Sequence, residues 1–259
     1  AGVVDCAPGT WLQPGQKVVA MMGGMGRVMD GGYAEYAVVP RECVIPIETD
    51  LPWEVVGALP EMLQTSYGSL TVGLDAQPGQ SLLIRGGTSS IGMATAALAK
   101  DIGMEVFATT RRPDRADALK ANGVDHVIID TGSIAPAVRE IIPEGVHAAL
   151  ELVGTPTLPD TLRCTRVHGT VCFTGMLSNE WLVKDFYPIG YLPTGVRLTG
   201  YGGESSDLPA EVLQRYLDLI AKGKLTVAIH RVYRLDEIQQ AHRDMEDNTA
   251  TGKLVVRVQ

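Results

Sequence analysis

Residues 81–100 read SLLIRGGTSSIGMATAALAK, and the interpretation of this stretch decides the fold. Leu82, Leu83 and Ile84 form a short apolar run closed by Gly86-Gly87, after which apolar residues recur at Ile91, Ala94, Ala97 and Leu98. That pattern predicts a buried strand, a tight turn and a helix. From Gly87 to Gly92 the turn reads Gly-Thr-Ser-Ser-Ile-Gly, the dinucleotide fingerprint G-x-G-x-x-G with Ser89 in place of the middle glycine. The first glycine permits the turn, and the last lets the helix pack close to the strand. Free N–H groups at the helix N-terminus then face a pyrophosphate. Ser89 brings a Cβ to where the phosphate approaches, while Thr88, Ser89 and Ser90 bring hydroxyls that would bond to it. For so short a motif, a plain strand-turn-helix without a ligand is the competing reading.

A second strand-like run, residues 105–109 (EVFAT), ends about twenty residues beyond the glycines, where an NAD site places an acid on the ribose 2′-hydroxyl. Here the chain continues Thr109-Thr110-Arg111-Arg112, with no acid. A carboxylate there would repel a 2′-phosphate, whereas guanidinium groups and hydroxyls would bind it. The expected cofactor is NADPH. The alternative is that Arg111 and Arg112 only solvate the helix start before Pro113.

Around this unit, strand and helix alternate. Helices are expected at 115–122, 134–142 and 157–163, and strands at 126–129, 147–152, 170–173 and 196–201. Repeated β-α units of this length predict a doubly wound α/β fold, a parallel sheet with helices on both faces and ligands at the carboxyl ends of its strands. Those ends carry Val153-Gly154 and Thr174-Gly175 as well as the two runs above. Residues 181–193 are irregular and aromatic, either a cover for a substrate pocket or a packed connector. Residues 1–50 read as β-structure, with strands at 17–21 and 33–39. Helices follow at 52–59 and 61–74, and the chain closes with helix 211–221, strand 227–231, helix 235–245 and strand 254–258.

The 259 residues, 45% of them hydrophobic, support one large domain or two smaller ones around a substantial core. A net charge of −8 without a basic tract argues against nucleic acid or an anionic membrane as partner. No stretch approaches the roughly 18–20 uninterrupted apolar residues that span a bilayer, and no basic region leads into an apolar one at the N-terminus, so a cytoplasmic protein is expected. Cys6, Cys43, Cys164 and Cys172 are widely spaced and read as reduced core residues. The histidines at 126, 147, 168, 230 and 242 stand apart too, so no local metal site is expected.

Asp30-Gly31-Gly32-Tyr33-Ala34-Glu35-Tyr36, Gln64-Thr65-Ser66-Tyr67-Gly68-Ser69-Leu70, the turn RGGTSSIG and the ending Thr251-Gly252-Lys253-Leu254-Val255-Val256 together resemble the medium-chain dehydrogenase/reductase superfamily. The resemblance runs over the whole chain and is strongest to the zinc-independent quinone oxidoreductase branch, the zeta-crystallin-like enzymes. It implies a GroES-like catalytic domain at 1–57, a Rossmann NADPH-binding domain at 58–200 and a return to the catalytic domain at 201–259. It implies pyrophosphate contacts at Gly87, Thr88, Ser89, Ser90 and Ile91, and 2′-phosphate contacts at Thr109, Thr110, Arg111 and Arg112. Beside the nicotinamide it implies Val153, Gly154, Thr174 and Gly175, with Thr65 on the same side and Lys253 in a closing G-K motif. It also implies a homodimer through the strand at 196–201. Relatives usually carry about sixty residues before this chain's opening, and Ala1 either follows a removed methionine or lacks an upstream segment; the resemblance favours the second. Glu61 falls near a zinc-ligand position of the zinc-dependent branch, but reads as a helix-start residue at the positive dipole end.

The expected activity is hydride transfer from NADPH to a small electron-poor acceptor, a quinone or an α,β-unsaturated carbonyl, without zinc. Tyr67 and Tyr33 are candidate proton sources. Two alternatives remain: an NADPH-binding protein or fragment without turnover, and a zinc-dependent alcohol dehydrogenase.

Overall fold

The strand, turn and helix expected at 81–100 are present in the computed structural model, which describes residues 1–247, 250 and 252–258. The chain divides into two units, Ala1–Gln64 with Glu204–Gln259, and Thr65–Gly203.

The first unit opens with β1 (Gly2–Val3), β2 (Lys17–Ala20) and β3 (Val44–Pro46), an antiparallel sheet in that order. Residues 33–39, expected as a strand, are turn and irregular structure instead, with Tyr36 and Val38 exposed. The apolar pattern is present, but no strand among the described residues pairs with it. Backbone groups without a ladder are better satisfied by water. Helices α1 (Trp53–Ala58) and α2 (Pro60–Gly68) follow, and within α2 the chain passes to the second unit. The helix expected to reach residue 74 stops at Gly68 and widens into a π-helical turn, Ser69–Gly73. The Gly73 carbonyl there accepts a 2.7 Å hydrogen bond from Thr199 Oγ1.

In the second unit β4 (Ser81–Arg85), α3 (Ser90–Asp101), β5 (Glu105–Thr110), α4 (Ala116–Ala121), β6 (His126–Ile129) and α5 (Ala135–Ile141) alternate. They are followed by β7 (Val146–Glu151), α6 (Leu158–Cys164), β8 (Thr165–Phe173), the short α7 (Pro188–Tyr191) and β9 (Arg197–Gly200). The six strands form one parallel sheet in the order β6-β5-β4-β7-β8-β9. This is the doubly wound Rossmann arrangement, with a small antiparallel sheet in the other unit. All five residues of β4 are buried, because a central parallel strand is covered on both faces and so reads as a continuous apolar run. Leu82, Leu83 and Ile84 each contribute roughly 2 kcal/mol by leaving water. Leu83, Phe107, Ile134, Val138, Val146 and Leu162 belong to one core cluster. β8 starts earlier than the expected residue 170, across an irregular register between Val146 and Ala148 of its neighbour. Trp181, Leu182, Tyr187 and Ile189 are exposed, while Tyr191 and Leu192 are half-buried against the core cluster, so within residues 181–193 the packed part is the end.

The closing segment returns to the first unit with α8 (Ala210–Ala221), β10 (Ile229–Arg234), α9 (Ile238–Glu246) and β11 (Lys253–Arg257); β10 and β11 pair in parallel. α8 buries Leu213, Tyr216 and Leu217, the i, i+3, i+4 stripe of an amphipathic helix. All four cysteines are free, and three are buried; burial pushes the Cys164 thiol up to about 12, which leaves it inert. Cys6 is exposed rather than in the core, because β1 is only two residues long and Cys6 falls in irregular chain beyond it. No helix among the described residues is long and apolar enough to cross a membrane.

Candidate cofactor site

The order of the parallel sheet reverses between β4 and β7, since the chain runs from β4 outward to β6 and then crosses back to β7. In such sheets the crevice for a ligand opens beyond the carboxyl ends of those two strands. Three turns surround that point in this chain.

The first follows β4. The Gly86 N–H donates to Thr109 Oγ1 at 3.0 Å, and the Gly87 N–H to the Thr109 carbonyl at 3.0 Å, so the turn is tied to the end of β5. Ser89 is the N-cap of α3: its hydroxyl accepts from the Gly92 N–H at 3.0 Å and donates to the Gly86 carbonyl at 2.9 Å. The hydroxyl expected to face a phosphate is thus engaged within the turn. A Cβ on Gly92 would stand 2.6 Å from the Gly86 carbonyl oxygen, closer than real Cβ contacts come, so helix and strand approach this closely only with glycine there. The backbone N–H groups of Thr88, Ser90 and Ile91 have no partner among the described residues. Three free N–H groups at the start of a twelve-residue helix are the donor set that a pyrophosphate takes.

The second turn follows β5. Thr109 and Thr110 are buried; Thr109 serves the Gly86 N–H, and Thr110 Oγ1 accepts from the Arg112 N–H at 3.1 Å. Arg111 is exposed and makes no hydrogen bond or ion pair among the described residues. Arg112 is different, for it forms two hydrogen bonds with Asp114, at 3.1 and 2.6 Å. Their mutual hydrogen bond raises the pKa of Arg112 and lowers that of Asp114. The run at 109–112 carries no acid, but one folds back beside it, which spacing alone did not reveal.

The third turn follows β7. Glu151 is fully buried, yet its carboxylate has four donors. Oε1 accepts from the N–H groups of Val153 and Gly154 at 2.7 and 3.0 Å and from Thr157 Oγ1 at 2.9 Å. Oε2 accepts from Thr161 Oγ1 at 2.6 Å. Burial pushes the carboxyl pKa upward, and these hydrogen bonds oppose that rise. Beside it, Arg85 ends β4 with no exposed surface, bound to Asp130 through two 2.9 Å hydrogen bonds and to Asp160 at 2.7 Å. Thr174 and Gly175, beyond β8, donate their N–H groups to the Glu151 carbonyl, both at 3.1 Å. Thr174 Oγ1 lies 3.0 Å from Ser69 Oγ in the π-helical turn.

Within the second unit, then, the structure joins Gly87 to Thr109 and joins Val153, Gly154, Thr174 and Gly175 through Glu151. Thr65 and Tyr67 are half-buried residues of α2 in the same unit. Tyr33 and Lys253 belong to the other unit. There the Tyr33 hydroxyl lies 3.0 Å from His242 Nε2, and burial lowers the pKa of Lys253 against the opposing charge of Glu61. Arg85 and Glu151 belong to no motif in the sequence, and their signal is a charged residue closing an otherwise apolar strand, in LLIR and in AALE. Among the described residues no three His, Cys, Asp or Glu side chains gather closely enough to hold a metal ion.

Among known proteins, the putative quinone oxidoreductase YhfP of Bacillus subtilis is 25% identical over 264 residues, covering 100% of this chain and 79% of its own length. The squalestatin tetraketide synthase of a Phoma species is 26% identical over 269 residues, covering 99% of this chain, which spans only 10% of that synthase. Among solved structures, a quinone oxidoreductase from Pseudomonas syringae superimposes with a TM-score of 0.86 at 24% identity, over 99% of this chain and 80% of that one, and so shares the fold. Residues 122–256, more than half of the chain, match the zinc-binding dehydrogenase family. The chain belongs to that family and, with quinone oxidoreductases among its relatives, to the medium-chain dehydrogenase/reductase superfamily.

Proposed function

We propose that the chain is an NADPH-dependent reductase that passes hydride to a small electron-poor acceptor, a quinone or an α,β-unsaturated carbonyl, without a metal. The observation that carries this reading is the pairing of three free N–H groups, on Thr88, Ser90 and Ile91, with a strand end that offers the exposed Arg111 guanidinium and no acid in the run 109–112. The N–H groups would hold the pyrophosphate, and Arg111 the 2′-phosphate. The Val153-Gly154 and Thr174-Gly175 turns would line the nicotinamide end. When bound, the nicotinamide supplies the hydride. The acceptor's oxygen then needs a proton, for which Tyr67 Oη is the first candidate, a half-buried phenol with no side-chain partner among the described residues. Tyr33 is the second. The family name implies zinc, but the described residues supply no donor set for it, so no step is drawn through that ion. The acceptor class follows the name of YhfP. A second copy of the chain would pair along β9, which has β8 on one side and no ladder on the other among the described residues.

The test is NADPH oxidation by the chelator-treated 259-residue chain, with a benzoquinone and a simple enone as acceptors, beside a fluorescence titration of NADPH and NADH. Turnover with tighter binding of NADPH is the expected result. Binding without turnover would make the chain a cofactor-binding protein or fragment, and activity restored only by zinc would make it a metal-dependent dehydrogenase.

A further inference from the structure

We propose that Glu151 is a positioning residue that fixes the nicotinamide half of the cofactor and leaves the adenosine half untouched. The inference rests on the cofactor reading above. An extended dinucleotide with its 2′-phosphate at the end of β5 and its pyrophosphate at the end of β4 must run onward to β7 and β8, the next strands across the reversal of order. Both turns at that end hang from one residue. The Glu151 carboxylate takes the N–H groups of Val153 and Gly154, and the Glu151 carbonyl takes those of Thr174 and Gly175. Two consecutive N–H groups converging on Oε1 require the chain to curl around the carboxylate, which it does with Gly154 at φ +130°, a region nearly closed to other residues.

Glu151 acts on the Arg85 guanidinium through its charge alone and makes no hydrogen bond to it. Arg85, the nearby buried cation, already has Asp130 and Asp160, two carboxylates for one guanidinium. A third buried carboxylate would be better replaced by a neutral group if balancing Arg85 were its role. Its four donors point instead to acceptor position as the reason for the residue, and three of them meet at Oε1.

The experiment compares the 259-residue chain with Glu151→Gln and Glu151→Asp, titrating each with NADPH and with 2′-phospho-ADP-ribose, which lacks the nicotinamide. Gln keeps an acceptor oxygen in place but not the charge. Asp keeps the charge but withdraws it by about 1.5 Å, away from the Thr157 and Thr161 hydroxyls and from the Gly154 N–H, with only the Val153 N–H left in reach. The expected order of NADPH affinity is wild type, then Gln about threefold weaker, then Asp at least about tenfold weaker, with 2′-phospho-ADP-ribose changed by less than about twofold throughout. Parallel loss of both ligands, no loss in either variant, or the reverse ranking with Asp near wild type overturns the inference. Should Asp fail to fold, the selectivity of the Gln variant decides by the same criterion. A wild-type chain that binds neither ligand overturns the cofactor reading and the inference with it.

Discussion

Replacing Arg85 with Met tests the charged floor beneath the cofactor turns. Met fills much of the same volume but takes the cation from Asp130 and leaves Asp160, also nearly buried, with only the exposed Arg163 at 3.5 Å. Removing one partner of a buried ion pair costs about 3–5 kcal/mol. The lower end applies here, since Asp160 keeps the Ile134 N–H at 2.7 Å and Asp130 keeps the Gly132 N–H at 2.9 Å. About 3 kcal/mol corresponds to a fall of roughly 6–12 °C in Tm for a unit of this size. The effect carries a pH signature. Burial alone would raise the pKa of Asp160, but the Ile134 N–H and the Arg85 guanidinium outweigh it and hold the carboxyl below its usual range. A depressed carboxyl contributes stability above its unfolded pKa and loses it as pH falls through the folded value. In the variant the part of that depression due to Arg85 is lost while the Ile134 N–H remains, so Asp160 takes up a proton in the folded state more readily than in wild type. The gap in Tm between wild type and Arg85→Met therefore narrows from about pH 7.5 to about pH 5. Thermal melts followed by circular dichroism at both pH values measure it. A fall of less than about 2 °C, or a gap that does not change with pH, would show that the network does not carry the load assigned to it.

Arg111→Ala should weaken NADPH binding by about tenfold and leave NADH unchanged, and Arg112→Ala should do less because Asp114 already holds that guanidinium; equal loss for both cofactors in a fluorescence titration would remove the 2′-phosphate assignment. Asp114→Ala frees Arg112 and should tighten NADPH about two- to threefold, an effect that shrinks at high salt; weaker binding would mean that the pair acts as a unit. Gly92→Ala puts a Cβ 2.6 Å from the Gly86 carbonyl oxygen, and overpacking of this kind costs about 1–3 kcal/mol. Its Tm should fall and its NADPH affinity drop together, as a calorimetric scan and a titration of the same sample would reveal. Tyr67→Phe should lower kcat with little change in the KM for NADPH; an unchanged rate would pass the proton-source role to Tyr33.

What could be read from the sequence was whatever depends on local pattern. The run LLIR followed by Gly-Gly, and the alternation after it, predicted β4, α3 and the parallel sheet, because a strand covered on both faces must be apolar throughout. The stretch at 33–39 has an equally good strand pattern and is not a strand, since a strand needs a partner and pattern does not supply one. The same limit appears at the turns. The glycines and hydroxyls were legible, but not which hydroxyl caps the helix; Ser89 satisfies two groups of its own turn, and only placement of the Gly86 carbonyl and the Gly92 N–H decides that.

Asp114 and Glu151 show why the remaining part was hidden. Each acts through a contact that closes only after the chain folds back: Asp114 across two residues to Arg112, and Glu151 onto the turn that follows its own strand. In sequence, a charge at the end of an apolar strand reads as the point where the chain meets water. In the structure Arg85 and Glu151 have no exposed surface, so their charges face inward beneath the turns. A buried ion is tolerated only where several fixed donors or acceptors surround it, and such groups are fixed because the ion holds them. That reciprocity is what gives a turn of small residues a defined shape: Gly154 carries no side chain to pack, and the Glu151 carboxylate under it supplies the constraint that a core would supply elsewhere.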